Sequence, residues 1–338
     1  MILTRISVSR RDDSLFEMDL HEVTPRPVFI IGLARSGTTF LYQMLTGVFP
    51  VASLTVYHVV NYDRILLHNH KGTAAAAGRE LDAMFRSWHM ATRLIDDIAL
   101  SHAMLEEYGW VLRRRAGAFH TNAKTAPLLD EICRKLQFIM PSAEAVLQKN
   151  PWDTGHAGDI LAYFPDARFI FLQRDSVAIV NSQFRIAKYF GENKDPFVNM
   201  LLSGIPLGRT WMWLQRALRK AAGEHRHGRI ALRYILRDVT RELDRLETSW
   251  DTVPPRQRMA LDYGGLVSDP DGALERVAAF LGLAPRCDPV YEKPNPRDRI
   301  LLPEVAAAEA GFRRRLRERG IAQRPLDEIR TRSPRIQR

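Results

Sequence analysis

Four β-branched or aromatic residues, Val28-Phe29-Ile30-Ile31, run directly into Gly32-Leu33-Ala34-Arg35-Ser36-Gly37-Thr38-Thr39. Phe40, Leu41, Met44, Leu45 and Val48 then recur at helical spacing. A buried strand, a glycine-bearing turn and an amphipathic helix in immediate succession open a parallel α/β sheet, because a parallel partner strand is reached only by a crossover. The turn has a chemical consequence as well. Successive backbone N–H groups at such a corner make an anion cradle, and the helix N-terminus adds its dipole.

The rest of the chain repeats the alternation. Ala145-Val146-Leu147-Gln148 reads as a strand ending at Lys149-Asn150-Pro151, with Asp153 or Thr154 placed to cap a following helix through Ile160, Leu161 and Phe164. Pro165-Asp166 turns the chain into the strand Arg168–Leu172, and Val177, Ile179, Val180 and Phe184 mark the next helix. A weaker strand signal covers Arg258–Tyr263, and Pro270–Leu281 reads as a helix. At 338 residues the chain can build one large core with an added lobe, and 46% hydrophobic with 26% charged residues excludes an intrinsically disordered protein. The expected fold is α/β: a P-loop-like central parallel sheet flanked by helices, one domain over residues 1–312. Helical insertions at about 60–140 and 197–250 would cap the carboxyl ends of the strands, where open α/β sheets bind ligands.

No apolar run reaches transmembrane length and no basic-then-apolar leader follows Met1, so a soluble, cytoplasmic protein is expected. Cys133 and Cys287 are the only cysteines and lack metal-ligand spacing, which fits a reducing compartment and argues against a zinc site. The net charge of +10 resides largely in residues 313–338, where ten arginines face only Glu318, Asp327 and Glu328. The body is therefore near neutral, and no nucleic-acid partner is expected. The basic C-terminal tail reads as a solvated helix or as a contact for a membrane surface, polyanion or acidic partner.

Gly32 and Gly37 have Walker A spacing, but Thr38 stands where the phosphate-binding lysine belongs. Arg35 supplies a cation from within the loop instead, one able to make bidentate contacts. Residues Pro27 to Leu41 resemble the 5′-phosphosulfate loop of sulfotransferases that use 3′-phosphoadenosine-5′-phosphosulfate (PAPS), in the bacterial and Golgi-type version with arginine. Three later segments extend the resemblance. Gln148-Lys149-Asn150-Pro151 is similar to the family's Lys-x-Pro turn, and Ile170 to Ser182 to its 3′-phosphate segment. Tyr263 to Leu283 resembles its closing segment. The resemblance implies a PAPS donor bound by Arg35, Ser36, Gly37, Thr38, Thr39, Arg174, Ser182 and Tyr263. Arg35 and Lys149 would neutralise the transferring and leaving groups, with no metal required.

The acceptor would be a hydroxyl, or less readily an amine, of a small molecule, lipid or glycan. Its base is open. Related enzymes carry a glutamate shortly after the first helix, and counting from Arg35 that position falls at His58, the first choice; Asp153 is the second and His156 a distant third. Glu106-Glu107-Tyr108 resembles an acidic segment lining some acceptor pockets, though a solvated helix face explains it equally. A P-loop kinase with a displaced lysine and a non-catalytic nucleotide- or polyanion-binding protein remain as competing readings.

Overall fold

The computed structural model describes residues 12–93, 98–193, 195–205, 223–287 and 300–321, with positions 210, 214 and 217. Five strands, β1 (Pro27–Ile31), β2 (Val51–Ser53), β3 (Ala145–Lys149), β4 (Arg168–Gln173) and β5 (Arg258–Asp262), form one sheet in the order β2-β3-β1-β4-β5. All four pairings are parallel. Every residue of β1 is buried, which is why it reads as an unbroken apolar run: a central parallel strand has no solvent face. The register sets Ile30 beside Lys149 and Ile170, and Gln173 beside Asp262. Lys149, Arg174 and Tyr263 therefore emerge along one carboxyl edge, together with the loop after β1.

Alternation along β1 and β4 sends two sets of side chains to opposite faces. Phe29, Ile31, Phe169 and Phe171 pack toward α5 (Gly109–Ala116) and α6 (Ala126–Ile139), and toward Trp250 near the end of a long helix, Glu224–Thr252. Val28, Ile30, Ile170 and Leu172 pack toward α1 (Thr38–Val48) and the helix Pro270–Leu281. Between β2 and β3 the chain runs through α2 (Val56–Val60), α3 (Ile65–His70), α4 (Ala74–Ser87), α5 and α6. After β3 come α7 (Ala157–Tyr163), α8 (Ser176–Glu192), α9 (Pro196–Leu202) and α10 (Glu224–Thr252), then α11 (Tyr263–Ser268), α12 (Pro270–Leu281) and α13 (Pro303–Glu318).

Three details depart from the sequence expectations. β2 is an edge strand of three residues, too short to show any alternation. The helix after β3 starts at Ala157 with His156 at its N-cap, while Asp153 ends a short 3-10 turn and caps nothing there. The division expected at 312/313 falls inside α13, whose Phe312 and Leu316 are buried against Leu232, Ile235 and Val239 of α10. The tail beyond Ile321 lies outside the described residues.

Phe29 holds the middle of the sheet to the insertion, its ring 5.8–6.3 Å from those of Phe169, Phe164 and Tyr108. Phe29→Ala should cost roughly 3–5 kcal/mol through the cavity it leaves. Urea unfolding checks this, as a lower midpoint with little change in slope.

Candidate active site

The loop after β1 is shaped by two glycines with different jobs. A side chain on Gly32 would lie 2.8 Å from Ser36 Oγ and 3.0 Å from the Leu172 carbonyl, so the turn closes only without one. Gly37 sits at φ +98°, and a Cβ there would come within 2.4 Å of the Tyr263 ring. Arg35 also takes a positive φ, 75°, which is costly for a residue with a Cβ and points to a demanding local geometry. Gly37 starts α1 with no side-chain cap, so the first amides of the helix have no side-chain acceptor there. Ser36 Oγ is fully buried with no hydrogen-bond partner in the turn. An orphaned hydroxyl beside uncapped helix amides is the environment an oxyanion would satisfy.

Cations converge on this turn from two other strands. Lys149, at the end of β3, donates to Thr39 Oγ1 at 3.0 Å. Arg174, just past β4, donates to the Arg35 carbonyl at 2.8 Å, and its guanidinium lies 4.5 Å from the centre of the Tyr263 ring. Arg35 Nε donates to Ser182 Oγ at 3.0 Å. Asp175 caps α8 by accepting from the Ala178 amide, which starts the helix close enough for Ser182, two turns in, to reach the loop. Thr38 is 3% exposed, with its methyl turned toward Gly32. The expected donor-binding residues are thus drawn together from four segments of chain, and they fit an anionic nucleotide.

The two residues expected as base are otherwise engaged. His58 is the N3 residue of a capping box on α2: the Thr55 amide donates to its Nδ1 at 3.1 Å, and Thr55 Oγ1 lies 3.0 Å from the same atom. With Nδ1 accepting, the ring proton belongs on Nε2 and no lone pair is left for an acceptor. Burial lowers the His58 pKa to about 4, so the ring is neutral. Asp153 is fully buried and collects the Tyr108 hydroxyl (2.5 Å), the Thr121 amide (2.5 Å) and hydroxyl (2.9 Å), and the Asn150 amide (2.8 Å). It staples the turn after β3 to the insertion. His156 pairs with Asp159 at 2.8 Å and stacks on His120.

A different carboxylate reaches the loop. Glu107 Oε1 lies 2.5 Å from Lys149 Nζ. Its neighbour Glu106 accepts from the Glu107 amide (3.0 Å) and the Trp110 indole (3.2 Å), and pairs with Arg93 at 3.4 Å. Burial, reinforced by the charge on Glu107, pushes Glu106 up to about 8. Burial alone would raise Glu107 too, but Lys149 and then Arg93 outweigh it and bring it to about 2. The two neighbouring carboxyls are thus driven in opposite directions, Glu106 upward and Glu107 downward. Among the described residues, no group of three or more His, Cys, Asp or Glu is placed to hold a metal ion.

A family model described as "Sulfotransferase family" matches residues 27–286. The omega-hydroxy-beta-dihydromenaquinone-9 sulfotransferases of Mycobacterium bovis and Mycobacterium tuberculosis are each 22% identical over 290 residues, covering 76% of this chain. The chain spans 63% of the length of these curated relatives. Among solved structures, sulfotransferase STF1 from Mycobacterium tuberculosis aligns with a TM-score of 0.51 at 17% identity, over 81% of this chain and 72% of that one. STF9 from Mycobacterium avium aligns at 0.52 and 16% identity, over 93% and 75%. At these identities the structural likeness establishes a shared fold.

Two stability predictions follow from the buried carboxyls. Asp153→Ala strands several donors and should cost roughly 3 kcal/mol, measured by urea unfolding. Glu106 has a folded pKa above its unfolded value, so its contribution is full below about 4.5 and is lost as pH rises toward about 8. Glu106→Gln should flatten the stability profile across that window.

Proposed function

The chain belongs to the sulfotransferase family, and from that premise we propose that it transfers a sulfuryl group from PAPS to an acceptor hydroxyl. The observation that carries the reading is the meeting of Arg35, Lys149, Arg174 and Ser182 at a turn with an orphaned Ser36 hydroxyl. PAPS, when bound, supplies an electrophilic sulfur and leaves as adenosine 3′,5′-bisphosphate. The amides of residues 37–39 and the Ser36 hydroxyl would receive the 5′-phosphosulfate, with Arg35 and Lys149 offsetting its charge. Arg174 and Ser182 would read the 3′-phosphate, and Tyr263 holds the Arg174 guanidinium against its ring. Preorganised cations and amides can supply most of the stabilisation that a loose, charge-spread transition state needs.

Glu107 is the base we assign. It is the carboxylate nearest the loop cation, ionised at neutral pH, and its side chain keeps 16% of its surface open. While Lys149 is paired to it, Glu107 is a weak base. A sulfate group that draws Lys149 away removes the main cause of its low pKa and raises its proton affinity when the acceptor must lose a proton. Lys149 would thus serve the donor and release the base in one displacement.

The acceptor side favours an apolar body. Trp110, bonded to Glu106, meets Trp152 and Phe119 edge-on, and Phe119 stacks on Trp152 at 4.4 Å, all three rings half-buried. The curated relatives are named for a hydroxylated dihydromenaquinone, and a lipid-like or aromatic alcohol is our choice here over a glycan.

Thermal-shift titration tests the donor assignment. At about a hundredfold excess over Kd, adenosine 3′,5′-bisphosphate should stabilise the fold by about 2.7 kcal/mol and ADP by far less; equal stabilisation would sink the reading. Arg174→Ala should weaken the bisphosphate by roughly 1.5–3 kcal/mol while leaving an analogue without the 3′-phosphate nearly unchanged. For the base, Glu107→Gln should reduce turnover on the order of 10²–10⁴-fold and keep bisphosphate affinity within about twofold. His58→Gln should keep most of its turnover, and the reverse ranking would return the base to His58.

A further inference from the structure

Outside the site, one surface is organised in a way the transfer reaction does not use. The N-terminal half of α10 buries Leu232, Ile235, Leu236 and Val239 and presents the opposite face to solvent. On that face Arg226, Arg229, Arg233 and Arg237 are all exposed, and between them lie Ile230 and Tyr234, at 63% and 66% exposure. No acidic residue occurs from Arg226 to Arg237. Among the described residues none of these four arginines has an ion-pair partner, whereas Arg241 and Arg245 further along are paired with Asp238 and Glu242. Cationic charge and exposed apolar side chains are therefore concentrated together in about three helical turns, roughly 17 Å of the helix.

The position matters too. α10 leads through Pro255–Gln257 into the first residue of β5, at the amino edge of the sheet. Its beginning therefore lies toward the carboxyl edge, where Gly228 faces Phe184 of α8, the helix that brings Ser182 to Arg35. The basic and apolar face thus sits at the same end of the sheet as the donor loop.

We propose that this face of α10, Arg226, Arg229, Ile230, Arg233, Tyr234 and Arg237, docks the protein onto an anionic lipid bilayer. The charge complementarity is direct: an unpaired arginine near a negatively charged leaflet is attracted over a Debye length. The apolar pair selects a bilayer over a soluble polyanion. Ile230 at the centre of the stripe gains nothing from a phosphate chain in water, but it can enter the acyl boundary while Tyr234 rests at headgroup level. Docking in this orientation brings the mouth of the site to the surface where an apolar acceptor would reside. The binding itself does not rest on the proposed reaction.

Co-sedimentation of the full chain with vesicles tests it, using phosphatidylcholine alone or with phosphatidylglycerol added. The expected result is binding to the anionic vesicles only, weakening as salt rises. Arg229→Glu with Arg233→Glu should lower the partition at least about tenfold. Ile230→Ser with Tyr234→Ser should weaken vesicle binding and leave binding to a single-stranded oligonucleotide unchanged. Thermal unfolding of both double variants should match the parent, since the side chains are exposed. Three results would overturn the proposal: no preference for anionic vesicles, full vesicle binding by the charge-reversed variant, or full vesicle binding by the serine variant. The last would make the face a polyanion site. Failure here with intact bisphosphate binding leaves the transferase reading standing, and the opposite pattern separates them the other way.

Discussion

The close approach of Gly37 to the Tyr263 ring is the contact on which the rest of the carboxyl edge depends. It presses the turn after β1 onto the residue that follows β5, across the intervening β4. The same ring carries the Arg174 guanidinium, and Arg174 in turn holds the Arg35 carbonyl. One aromatic side chain thereby sets the spacing of three strand ends. Any residue with a Cβ at position 37 would have to displace the ring and adopt an unfavourable φ as well. The positive φ of Arg35 fits the same picture: the loop is held in a demanding shape by contacts outside itself.

A second line of contacts carries charge where the first carries shape. From the insertion to the loop, Arg93, Glu106, Glu107, Lys149 and Thr39 follow one another within hydrogen-bond or ion-pair distance. Burying this many ionisable groups is expensive unless each finds a partner. The arrangement meets that cost by setting a carboxyl beside each cation, Glu106 at Arg93 and Glu107 at Lys149. Lys149, 5% exposed, sits in this buried setting with the Glu107 carboxylate directly beside it.

How much of this was legible beforehand depended on how local each role is. The β1 turn could be read because a strand-to-helix corner is written within a few neighbouring residues, whereas Arg174 and Ser182 entered only through the family resemblance. β5, a weak signal in the sequence, is a strand because its partner β4 supplies the ladder. The engagement of His58 and Asp153 was not legible for the converse reason. Each is a plausible base by residue type and spacing, yet Thr55 spends the lone pair of one, and Tyr108, Thr121 and Asn150 enclose the other. No window of sequence around Asp153 contains Tyr108 or Thr121. Glu107 was visible as part of a Glu-Glu pair, but its distinction from Glu106 exists only once Lys149, 42 positions later, lies beside it.

Pairing also separates the two basic regions that the net charge of +10 blurs together. At the donor loop, Lys149 and Arg174 are buried or half-buried and bound to named protein atoms, so any anion entering must compete for them and is selected by geometry. On α10 the four arginines are exposed and no acidic side chain among the described residues claims them, so they act as a diffuse field with little preference for the shape of what carries the opposing charge. The first arrangement suits recognition of one nucleotide, the second attraction to an extended surface. That α13 covers the buried side of α10 with Phe312 and Leu316 explains why only the outward side is left for such a surface.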